Sequence, residues 1–489
     1  MRHFLLGAVA VAATACTTTK EAKQPNILLI CIDDLRSDMG EFGSEVVISP
    51  TLDNIASQGR LFTHQYVQAP TSGASRAMML TGIGATNKSH VNNFTFSNSL
   101  VGTQECEQPE TFVHHLKRNG YHTVGMGKIS HSDSGQTFKD GEIFPELPYS
   151  WDEFINNPNS PWPNRFDAML HGYANGKIRE KGVTPAFEFL DLPDSCYADG
   201  QLASLAVEQL KKLSKSSDDK PFFMAVGFYK PHLPFVAPKK YWDMYDGVDV
   251  PLAENIDTPQ GVDNAFMHNS VECFSQYFHP EKGGAGVQLS EDYARDMRRA
   301  YFSAISFTDS QVGRVMETLQ QTGLDENTIV IVWGDHGWHL GDQTIWGKHS
   351  VFERALNSVL MVNMPSGMQA RGERCDELIA AVDIYPTICE LAGVTPPAGL
   401  DGVSFVEQIK NPEIQGRDYV ISYWTNQITI RDKKYRFSIF DNGKKRAYML
   451  YDHENDPYET TNISAQNPEL VEKFTTIAIE NNRGFLPNL

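Results

Sequence analysis

Charged side chains follow four apolar runs of this sequence, each at the point where the run ends. These residues are Asp33, Asp34, Lys128, His131, Lys230, His232, Asp335 and His336, and Lys348 follows a little later. Aspartate carboxylates are hard oxygen donors of the kind that Ca²⁺ and Mg²⁺ select over zinc. Lysine and histidine suit an oxyanion. Together these residue types predict a metal-assisted site for a group such as sulfate or phosphate.

A candidate nucleophile lies in the segment Pro70 to Gly82. Ser72 comes just before a short helical run, and Arg76 follows one turn later. The N-terminus of a helix favours an anion at that point. In the alternative interpretation, Ser72 is an ordinary helix cap and Arg76 is a surface residue. The residues by themselves leave both interpretations open.

The four apolar runs have the composition of strands buried on both faces of a parallel sheet. They are Asn26 to Ile32, Tyr121 to Met126, Pro221 to Phe228 and Asn327 to Trp333. Helical patterns alternate with them, at Pro109 to Asn119, at Leu202 to Leu213 and at Asp292 to Gln321. Alternating strands and helices predict a doubly wound α/β fold. Ligands bind at the carboxyl ends of such strands, where the charged side chains lie.

Two regions depart from this alternation. The stretch from Asp133 to Asp194 is rich in Pro, Asn and Gly, which indicates a long excursion from the sheet. From about Arg417, short β-like runs predict a small antiparallel sheet, followed by a helix at Pro468 to Glu480. We therefore predict an α/β fold with a large, mostly parallel sheet sandwiched by helices and a smaller C-terminal antiparallel subdomain.

Composition excludes several function classes. The 42 Lys and Arg against 61 Asp and Glu give a net charge of −19, which argues against nucleic acid as a partner. The apolar runs are shorter than the roughly 20 residues that a membrane-spanning helix needs. The cysteines form no C-x-x-C pair, so a zinc or thioredoxin-like site is not expected.

The N-terminus predicts export from a bacterial cell. A short basic start, an apolar run and a small-residue cleavage pattern precede Cys16, as in a lipoprotein signal, although simple secretion after Ala15 is the alternative. We therefore expect a signal peptide at 1–16, a tether at 17–24, a catalytic α/β domain at 25–410 and a C-terminal α+β subdomain at 411–489. The expected location is the cell envelope, in the periplasm, with a possible lipid anchor at Cys16.

Several motifs resemble the sulfatase family in order along nearly the whole mature chain. Ser72-Gly-Ala-Ser-Arg76 followed by Leu80-Thr-Gly82 resembles the sulfatase signature, whose first residue is oxidised to formylglycine. Asp33-Asp34, Gly127-Lys128 with His131, and Gly334-Asp335-His336 match further family segments. The Lys-x-x-His and Lys-Pro-His-x-Pro-Phe pairs are similar to the iduronate 2-sulfatase branch. The resemblance implies an alkaline-phosphatase-like fold and a sulfuric ester hydrolase.

The resemblance also implies a role for each matching residue. Asp33, Asp34, Asp335, His336 and the modified Ser72 would hold Ca²⁺. Arg76 would hold the formylglycine hydrate, and Lys128, His131, His232 and Lys348 would contact the sulfate or the leaving oxygen. His232 or Lys348 is the candidate general acid, and we favour His232. Ser at position 72 in place of Cys, with Ala74 in place of Pro, implies an anaerobic sulfatase-maturating enzyme as a partner.

The substrate expected from the resemblance is a sulfated oligosaccharide, with the 2-O-sulfate of a hexuronic acid in glycosaminoglycan fragments favoured. Such a carboxylated sugar needs an extra cation, for which Arg36, His64, His90 and His349 are candidates. A sulfated galactan or fucan is the alternative substrate. A phosphate mono- or diester hydrolase of the same superfamily and a non-catalytic glycan-binding lipoprotein are the rival functions.

Overall fold

A computed structural model describes residues 23–95, 110–139, 142–163, 168–365 and 371–488. The expected signal peptide, most of the tether and Cys16 lie outside these ranges, and so does Cys106. The expectations that concern them, and the division of the chain near residue 410, stay predictions.

The strands and helices are numbered here in chain order. The strands are β1 Asn26–Ile32, β2 Arg60–Tyr66, β3 His122–Gly127, β4 Gln136–Lys139, β5 Glu142–Pro145, β6 Glu153–Ile155, β7 Phe187–Leu190, β8 Phe222–Phe228, β9 Phe235–Pro238, β10 Thr328–Gly334, β11 His339–Leu340, β12 Trp346–Gly347, β13 Asn357–Asn363, β14 Arg374–Cys375, β15 Ile379–Ala380, β16 Tyr419–Trp424, β17 Gln427–Asp432, β18 Tyr435–Asp441 and β19 Arg446–Asp452. The α-helices are α1 Pro50–Gln58, α2 Ser72–Thr81, α3 Phe112–Arg118, α4 Ala198–Leu213, α5 Lys239–Asp243, α6 Val271–Gln276, α7 Glu291–Gln321, α8 Glu353–Leu356, α9 Ile384–Leu391, α10 Val406–Lys410 and α11 Pro468–Glu480.

The central sheet is mostly parallel. Its strand order is β14-β2-β13-β10-β1-β8-β3-β6, and β15 also pairs with β2. β13 is antiparallel to both of its neighbours, β10 and β2, whereas the other pairs are parallel. The carboxyl ends of β1, β3, β8 and β10 therefore lie at one edge of the sheet.

The central strand β1 is buried along its whole length because both faces of the sheet are covered. Ile27, Leu29 and Cys31 belong to one hydrophobic cluster, together with side chains of α2, α3 and α9. The alternate residues Leu28 and Ile30 belong to a second cluster with side chains of α1, α4 and α7. The continuous apolar run thus reflects helices on both sides of the sheet, which confirms the predicted fold class.

The strand predictions at the centre of the sheet agree with the structure to within a residue or two. β1, β3, β8 and β10 all formed where the apolar runs predicted them. The sequence analysis identified neither β2 nor the antiparallel strand β13. Both complete the sheet beside β10 and lead into loops near the site.

The C-terminal region forms a separate antiparallel sheet of order β16-β17-β18-β19. Helix α11 packs on it, and the rings of Phe437 and Phe474 stack with centroids 5.6 Å apart. Side chains of β17 and β18 join the hydrophobic cluster that covers one face of the central sheet. The predicted small sheet and final helix are therefore confirmed, and they share a core with the central sheet.

Two further observations concern membranes and thiols. Within the described ranges, no helix has the length and apolar character needed to cross a bilayer. Cys31, Cys196, Cys273, Cys375 and Cys389 are free thiols.

Candidate active site

The register of the central sheet places four strand ends side by side. Ile32, the last residue of β1, pairs with Gly334 of β10 and with Phe228 of β8. Gly127 of β3 pairs with Gly227 of β8. The residues that follow these ends are consequently neighbours in space, as the sequence analysis predicted.

Close contact between β3 and β8 depends on two glycines. Gly127 has φ 69°, and a Cβ on it would lie 2.3 Å from the carbonyl oxygen of Gly227. A Cβ on Gly227 would lie 2.1 Å from the carbonyl oxygen of Lys128. Glycine at both positions therefore lets the backbone of Lys128 approach β8, where its amide donates to the Gly227 carbonyl at 2.9 Å.

A guanidinium and an ammonium bridge the carboxylates at the centre of the site. Arg76 donates through Nη2 to Asp33 Oδ1 and through Nε to Asp335 Oδ2, each at 3.0 Å. Lys128 Nζ donates to Asp33 Oδ2 at 2.6 Å. All four side chains are buried, so these charges interact without competition from water. Arg76 is thus a site residue and not a surface residue.

Ser72 is the first residue of α2, and its hydroxyl lies inside the carboxylate cluster. Ser72 Oγ lies 3.3 Å from Asp33 Oδ1 and 3.0 Å from His336 Nε2. The loop residue Asn93 accepts a hydrogen bond from the Gly73 amide at 3.0 Å and one from the Thr71 hydroxyl at 2.8 Å. Asn93, which the sequence analysis did not assign to the site, therefore fixes the helix N-terminus that presents Ser72.

Several hydrogen bonds hold Asp34 in place. Its backbone has φ 57°, in a region that aspartate tolerates better than most residues, and its amide donates to Asp335 Oδ1 at 2.9 Å. The Tyr301 hydroxyl of α7 donates to the Asp34 carbonyl at 2.5 Å. Lys348 Nζ donates to Asp34 Oδ1 at 3.0 Å. Tyr301 is a second positioning residue that no sequence motif indicated.

The donor set fits a divalent cation. Ligand atoms of Asp34, Asp335 and His336 lie within 4.8 Å of one another, and Asp33 belongs to an overlapping group with Asp34. His336 Nδ1 lies 3.0 Å from the Gly337 carbonyl, which fixes the tautomer and leaves the Nε2 lone pair facing the carboxylates. Burial and Lys348 lower the pKa of His336 well below its ordinary value, so the ring is neutral and able to bind a metal.

The carboxylates differ in how their charge is compensated. Burial would raise the pKa of Asp33, but Lys128 and Arg76 outweigh it and hold that pKa well below its ordinary value. Burial raises the pKa of Asp34 well above its ordinary value despite Lys348, and it also raises the pKa of Asp335 despite Arg76. Burial and the neighbouring carboxylates therefore outweigh the cation beside each of Asp34 and Asp335, the two carboxylates that group with His336.

A cleft of about 380 Å³ opens beside this cluster. Its polar lining includes Asn93, His131, His171, His232, Glu272, Lys348 and His349. A larger cavity of about 560 Å³ lies at the junction with the C-terminal sheet, where Arg417 and Arg483 pair with Asp383 and Asp401. The smaller cleft adjoins Ser72's carboxylate cluster and is the better candidate for substrate.

His232 and Lys348, the two candidate general acids, face each other across the cleft. Burial and the Lys348 charge lower the pKa of His232 to about 4. Burial would also lower the pKa of Lys348, but Asp34 and Glu272 outweigh it and raise that pKa above its ordinary value. In the ligand-free arrangement Lys348 therefore carries a proton at neutral pH, whereas the His232 ring is neutral.

Lys230 does not contact the carboxylates, although it follows β8 directly. Its Nζ donates to the carbonyls of Leu170, His232 and Pro234 at 2.9 to 3.1 Å. These bonds fix the loop that carries His232. Lys230 is therefore a loop-positioning residue, and its expected role as an oxyanion contact is not borne out by the geometry.

Of the four candidate cations for a sugar carboxylate, His349 alone lines the cleft. Arg36 is buried in ion pairs with Asp38 and Asp342 at 2.8 and 2.9 Å. His64 contacts Thr63 and His90 contacts Thr86, each at 3.0 Å and away from the cleft. Burial, followed by the Lys348 charge, lowers the pKa of His349 to about 3, so its ring is a neutral hydrogen-bonding group.

Glu272 of α6 is a cleft residue that the sequence analysis missed. Its carboxylate lies 3.2 Å from His232 Nε2 and 3.5 Å from Lys348 Nζ. It comes from an irregular part of the chain with no strand end and no motif, so only its position in space reveals it.

A mostly parallel α/β sheet with buried carboxylates, a serine and three cations at its carboxyl edge defines a hydrolase of the alkaline-phosphatase-like fold. The family model for sulfatases matches residues 25–394, and the model for the C-terminal region of N-sulphoglucosamine sulphohydrolase matches residues 334–478. The chain belongs to the sulfatase family and is a sulfuric ester hydrolase. Enzymes of this family generally use formylglycine and a divalent metal.

Individual relatives agree with this assignment. The chain is 27% identical over 481 residues to a sulfatase of Formosa agariphila, across 94% of this chain and 88% of that protein. It is 28% identical over 420 residues to the iduronate 2-sulfatase of Mus musculus, across 80% and 73% of the two chains. A solved structure in complex with its substrate D-glucosamine-2-N,6-O-disulfate matches with a TM-score of 0.72 at 20% identity, over 95% and 98% of the chains.

Proposed function

We propose that this sulfatase removes the 2-O-sulfate from a hexuronic acid in glycosaminoglycan fragments, through a formylglycine hydrate formed from Ser72 and a bound Ca²⁺. The observation that carries the proposal is the position of Ser72 Oγ, 3.3 Å from Asp33 and 3.0 Å from His336, in the carboxylate cluster that Lys348 links to the cleft. The similarity to the iduronate 2-sulfatase of Mus musculus supports the choice of sugar.

Asp33, Asp34, Asp335 and His336 would hold the ion together with the oxygen of residue 72. Three carboxylates favour Ca²⁺ or Mg²⁺ over softer metals. A bound cation would also relieve the repulsion among Asp33, Asp34 and Asp335 that contributes to the raised pKa of the last two. When bound, the ion supplies Lewis-acid stabilisation of oxyanions at residue 72 and on the sulfate.

Oxidation of Ser72 to an aldehyde explains how one residue can attack sulfur and afterwards release the bound sulfate. One hydroxyl of the hydrated aldehyde attacks sulfur, and loss of the proton from the other expels sulfate and restores the aldehyde. Arg76 lies 3.0 Å from both Asp33 and Asp335, and these two bonds keep its positive charge beside residue 72. Lys128 offsets charge on the sulfuryl oxygens, and His131 lies on the cleft wall beside it.

The leaving sugar oxygen needs a proton as the S–O bond breaks. Lys348 and His232 both face the cleft, and Lys348 carries the proton in the ligand-free arrangement. A sulfate dianion-like transition state next to His232 would favour its protonated form as well. We therefore propose that these two residues share the general-acid role.

One observation favours a neutral sulfated sugar, such as a galactan or fucan unit, as a second candidate substrate. The Glu272 carboxylate lies in the cleft, where it would repel the carboxylate of a uronic acid. The described lining of the cleft contains Lys348 but no arginine to compensate that repulsion. Assays on defined sugars separate the two candidates.

The test combines mass and activity. Protein made together with an anaerobic sulfatase-maturating enzyme should contain a peptide lighter by two hydrogens at Ser72, and it should release sulfate from 2-O-sulfated uronic acid disaccharides. Unmodified Ser72 together with hydrolysis of phosphate esters would contradict the proposal and favour the phosphohydrolase rival. Activity confined to sulfated galactose or fucose would show that the proposed sugar is wrong and would leave the proposed sulfatase reaction in place.

We also propose that the chain is exported to the periplasm and anchored through Cys16. The signal-like segment and the position of Cys16 support this proposal. Growth with a labelled fatty acid should label the wild-type protein and not the Cys16→Ser variant. Equal labelling of both proteins would contradict the anchor.

A further inference from the structure

Glu272 lies between the two candidate proton donors and contacts each with a different oxygen. Oε1 lies 3.2 Å from His232 Nε2, and Oε2 lies 3.5 Å from Lys348 Nζ. The side chain is about one-fifth exposed, towards the cleft, while His232 and Lys348 are almost fully buried. One carboxylate thus joins two side chains from separate segments of the chain.

His232 and Lys348 each make a further contact, and these contacts leave one side of each donor to Glu272. His232 Nδ1 lies 2.7 Å from the Leu233 carbonyl, which fixes one side of the ring. Lys348 Nζ also contacts Asp34 Oδ1 at 3.0 Å, on the side of the carboxylate cluster. Without Glu272, Lys348 would be drawn towards Asp34 and away from the cleft. The Nε2–H of the protonated, proton-donating His232 ring would lose its nearest acceptor, since Asp34 Oδ2 lies farther away at 3.7 Å.

We propose that Glu272 is a positioning residue that holds Lys348 and His232 together at the oxygen of the leaving alcohol. The inference rests on the proposed function, in which one of these donors protonates that oxygen. The proton moves from the donor to the oxygen while the S–O bond breaks, and Glu272 keeps its own charge throughout. Glu272 therefore acts on departure of the alcohol, which accompanies attack at sulfur, and not on the later release of sulfate from residue 72.

The chemistry of the two oxygens makes the inference testable by near-isosteric substitution. Glutamine in place of Glu272 has the same size, but its amide offers one acceptor oxygen and one NH₂ group. Such an amide has one acceptor oxygen, so it cannot accept from Lys348 and from protonated His232 at the same time. Aspartate keeps the charge but is one methylene shorter, so it reaches at most one donor.

The experiment measures kcat/KM for the matured full-length wild type, Glu272→Gln and Glu272→Asp. The substrates are a sulfated disaccharide, whose alcohol leaves poorly without a proton, and a series of aryl sulfates with increasingly acidic phenols. We expect Glu272→Gln to lose about 10²-fold on the disaccharide, the size of a general-acid contribution, and less than about threefold on 4-nitrophenyl sulfate. The dependence of rate on the acidity of the phenol should be steeper in both variants than in the wild type.

Glu291→Gln is the matched control, because it removes a carboxylate whose side chain is 74% exposed at the start of α7. It should match the wild type on every substrate. An equal loss on all substrates, or an unchanged dependence on the phenol, overturns the role of Glu272. Thermal unfolding of each variant shows whether it folds. If Glu272→Gln does not fold, the comparison of Glu272→Asp with the wild type tests the role of Glu272.

The two proposals fail in different ways. If the wild type hydrolyses aryl sulfates but none of the sulfated sugars, the proposed substrate is wrong, and the aryl series still tests Glu272. If the wild type cleaves the disaccharide but the variants keep the wild-type dependence on the leaving group, the proposed function stands and the inference about Glu272 is wrong.

Discussion

Two buried clusters in this protein contain carboxylates, a histidine and arginine at similar distances, yet they differ in charge balance. In the catalytic cluster, burial raises the pKa of Asp34 and Asp335. In the second cluster, which we call the junction cluster, Glu353, His453 and Glu459 bring ligand atoms within 4.8 Å of one another where the C-terminal sheet meets α8. Burial would raise the pKa of Glu353, but Arg436 outweighs it and holds that pKa well below its ordinary value.

The contacts of the junction cluster explain the difference. Arg436 donates to Glu353, and its Nε lies 3.1 Å from Glu459 Oε1. Arg431 Nε lies 3.5 Å from Glu353, and His453 lies 3.2 Å from Glu459. The junction carboxylates are therefore already neutralised by protein side chains. In the proposed metal site, by contrast, burial and like-charge repulsion outweigh the cations beside Asp34 and Asp335.

Removal of the nucleophile should have the largest effect and should be confined to the catalytic cluster. Ser72→Ala cannot be oxidised to formylglycine, so sulfate release should fall by at least about 10⁴-fold, as for loss of other catalytic nucleophiles. Ser89→Ala, on an exposed loop, is the control and should retain wild-type rates. Sulfate release by ion chromatography makes the measurement. Substantial activity in Ser72→Ala would show that residue 72 is not the nucleophile.

Disruption of the junction cluster should cost stability instead of activity. Arg436→Met leaves the buried carboxylates Glu353 and Glu459 without their shared partner, so the free energy of unfolding should fall by about 3–5 kcal/mol. Lys410→Met breaks the exposed pair with Glu407 and should cost less than about 1 kcal/mol. Urea unfolding of both variants gives the comparison, with kcat of the folded fraction expected to stay unchanged. Similar losses in the two variants would contradict the assigned role of Arg436.

Calcium should stabilise the protein through the catalytic cluster alone. At about 100 times its dissociation constant, an ion bound only by the folded state adds about 2.7 kcal/mol to the free energy of unfolding. Asp335→Asn should abolish this gain, whereas Glu459→Gln in the junction cluster should retain it. Thermal unfolding with chelator and with added Ca²⁺ makes the measurement. If Glu459→Gln alone lost the gain, the metal site would be assigned to the wrong cluster.

The smallest effect is an opposite pH dependence of the contributions of Glu353 and Asp335 in chelator. Because the pKa of Glu353 is lowered by folding, its stabilisation is present above the unfolded pKa and is lost as pH falls through the folded value. The pKa of Asp335 is raised, so its contribution is present at low pH and is lost as pH rises through the folded value. Glu353→Gln should therefore flatten the acid limb of the stability profile, and Asp335→Asn the limb towards neutral pH. Parallel profiles for both variants would contradict this difference.

The part of the site that was predictable from sequence lies at strand ends. Asp33, Lys128, His232 and Asp335 each follow an apolar run, and parallel strands of one sheet end at one edge. Lys230 has the same sequence context, yet it bonds to the carbonyls of Leu170, His232 and Pro234 and not to the carboxylates. Sequence position thus located the loop but not the direction of each side chain within it.

The residues that were missed share a different property. Glu272, Asn93 and Tyr301 reach the site from α6, from a loop and from the middle of α7. None of them follows a strand end, and each contacts its partner across 20 or more residues of chain. Strand β13 was missed for a related reason, because its antiparallel pairing with β10 and β2 depends on how the chain returns to the sheet.

The amino-acid order alone determined that this chain builds a helix-covered parallel sheet with acids, bases and a serine at one edge. A strand that is buried on both faces needs apolar residues along its whole length, and such runs can be recognised in the sequence. Only the tertiary structure decided which charges are neutralised and which are not, because electrostatic compensation depends on distances between distant segments. That balance, and not the residue types, separates the catalytic cluster from the junction cluster.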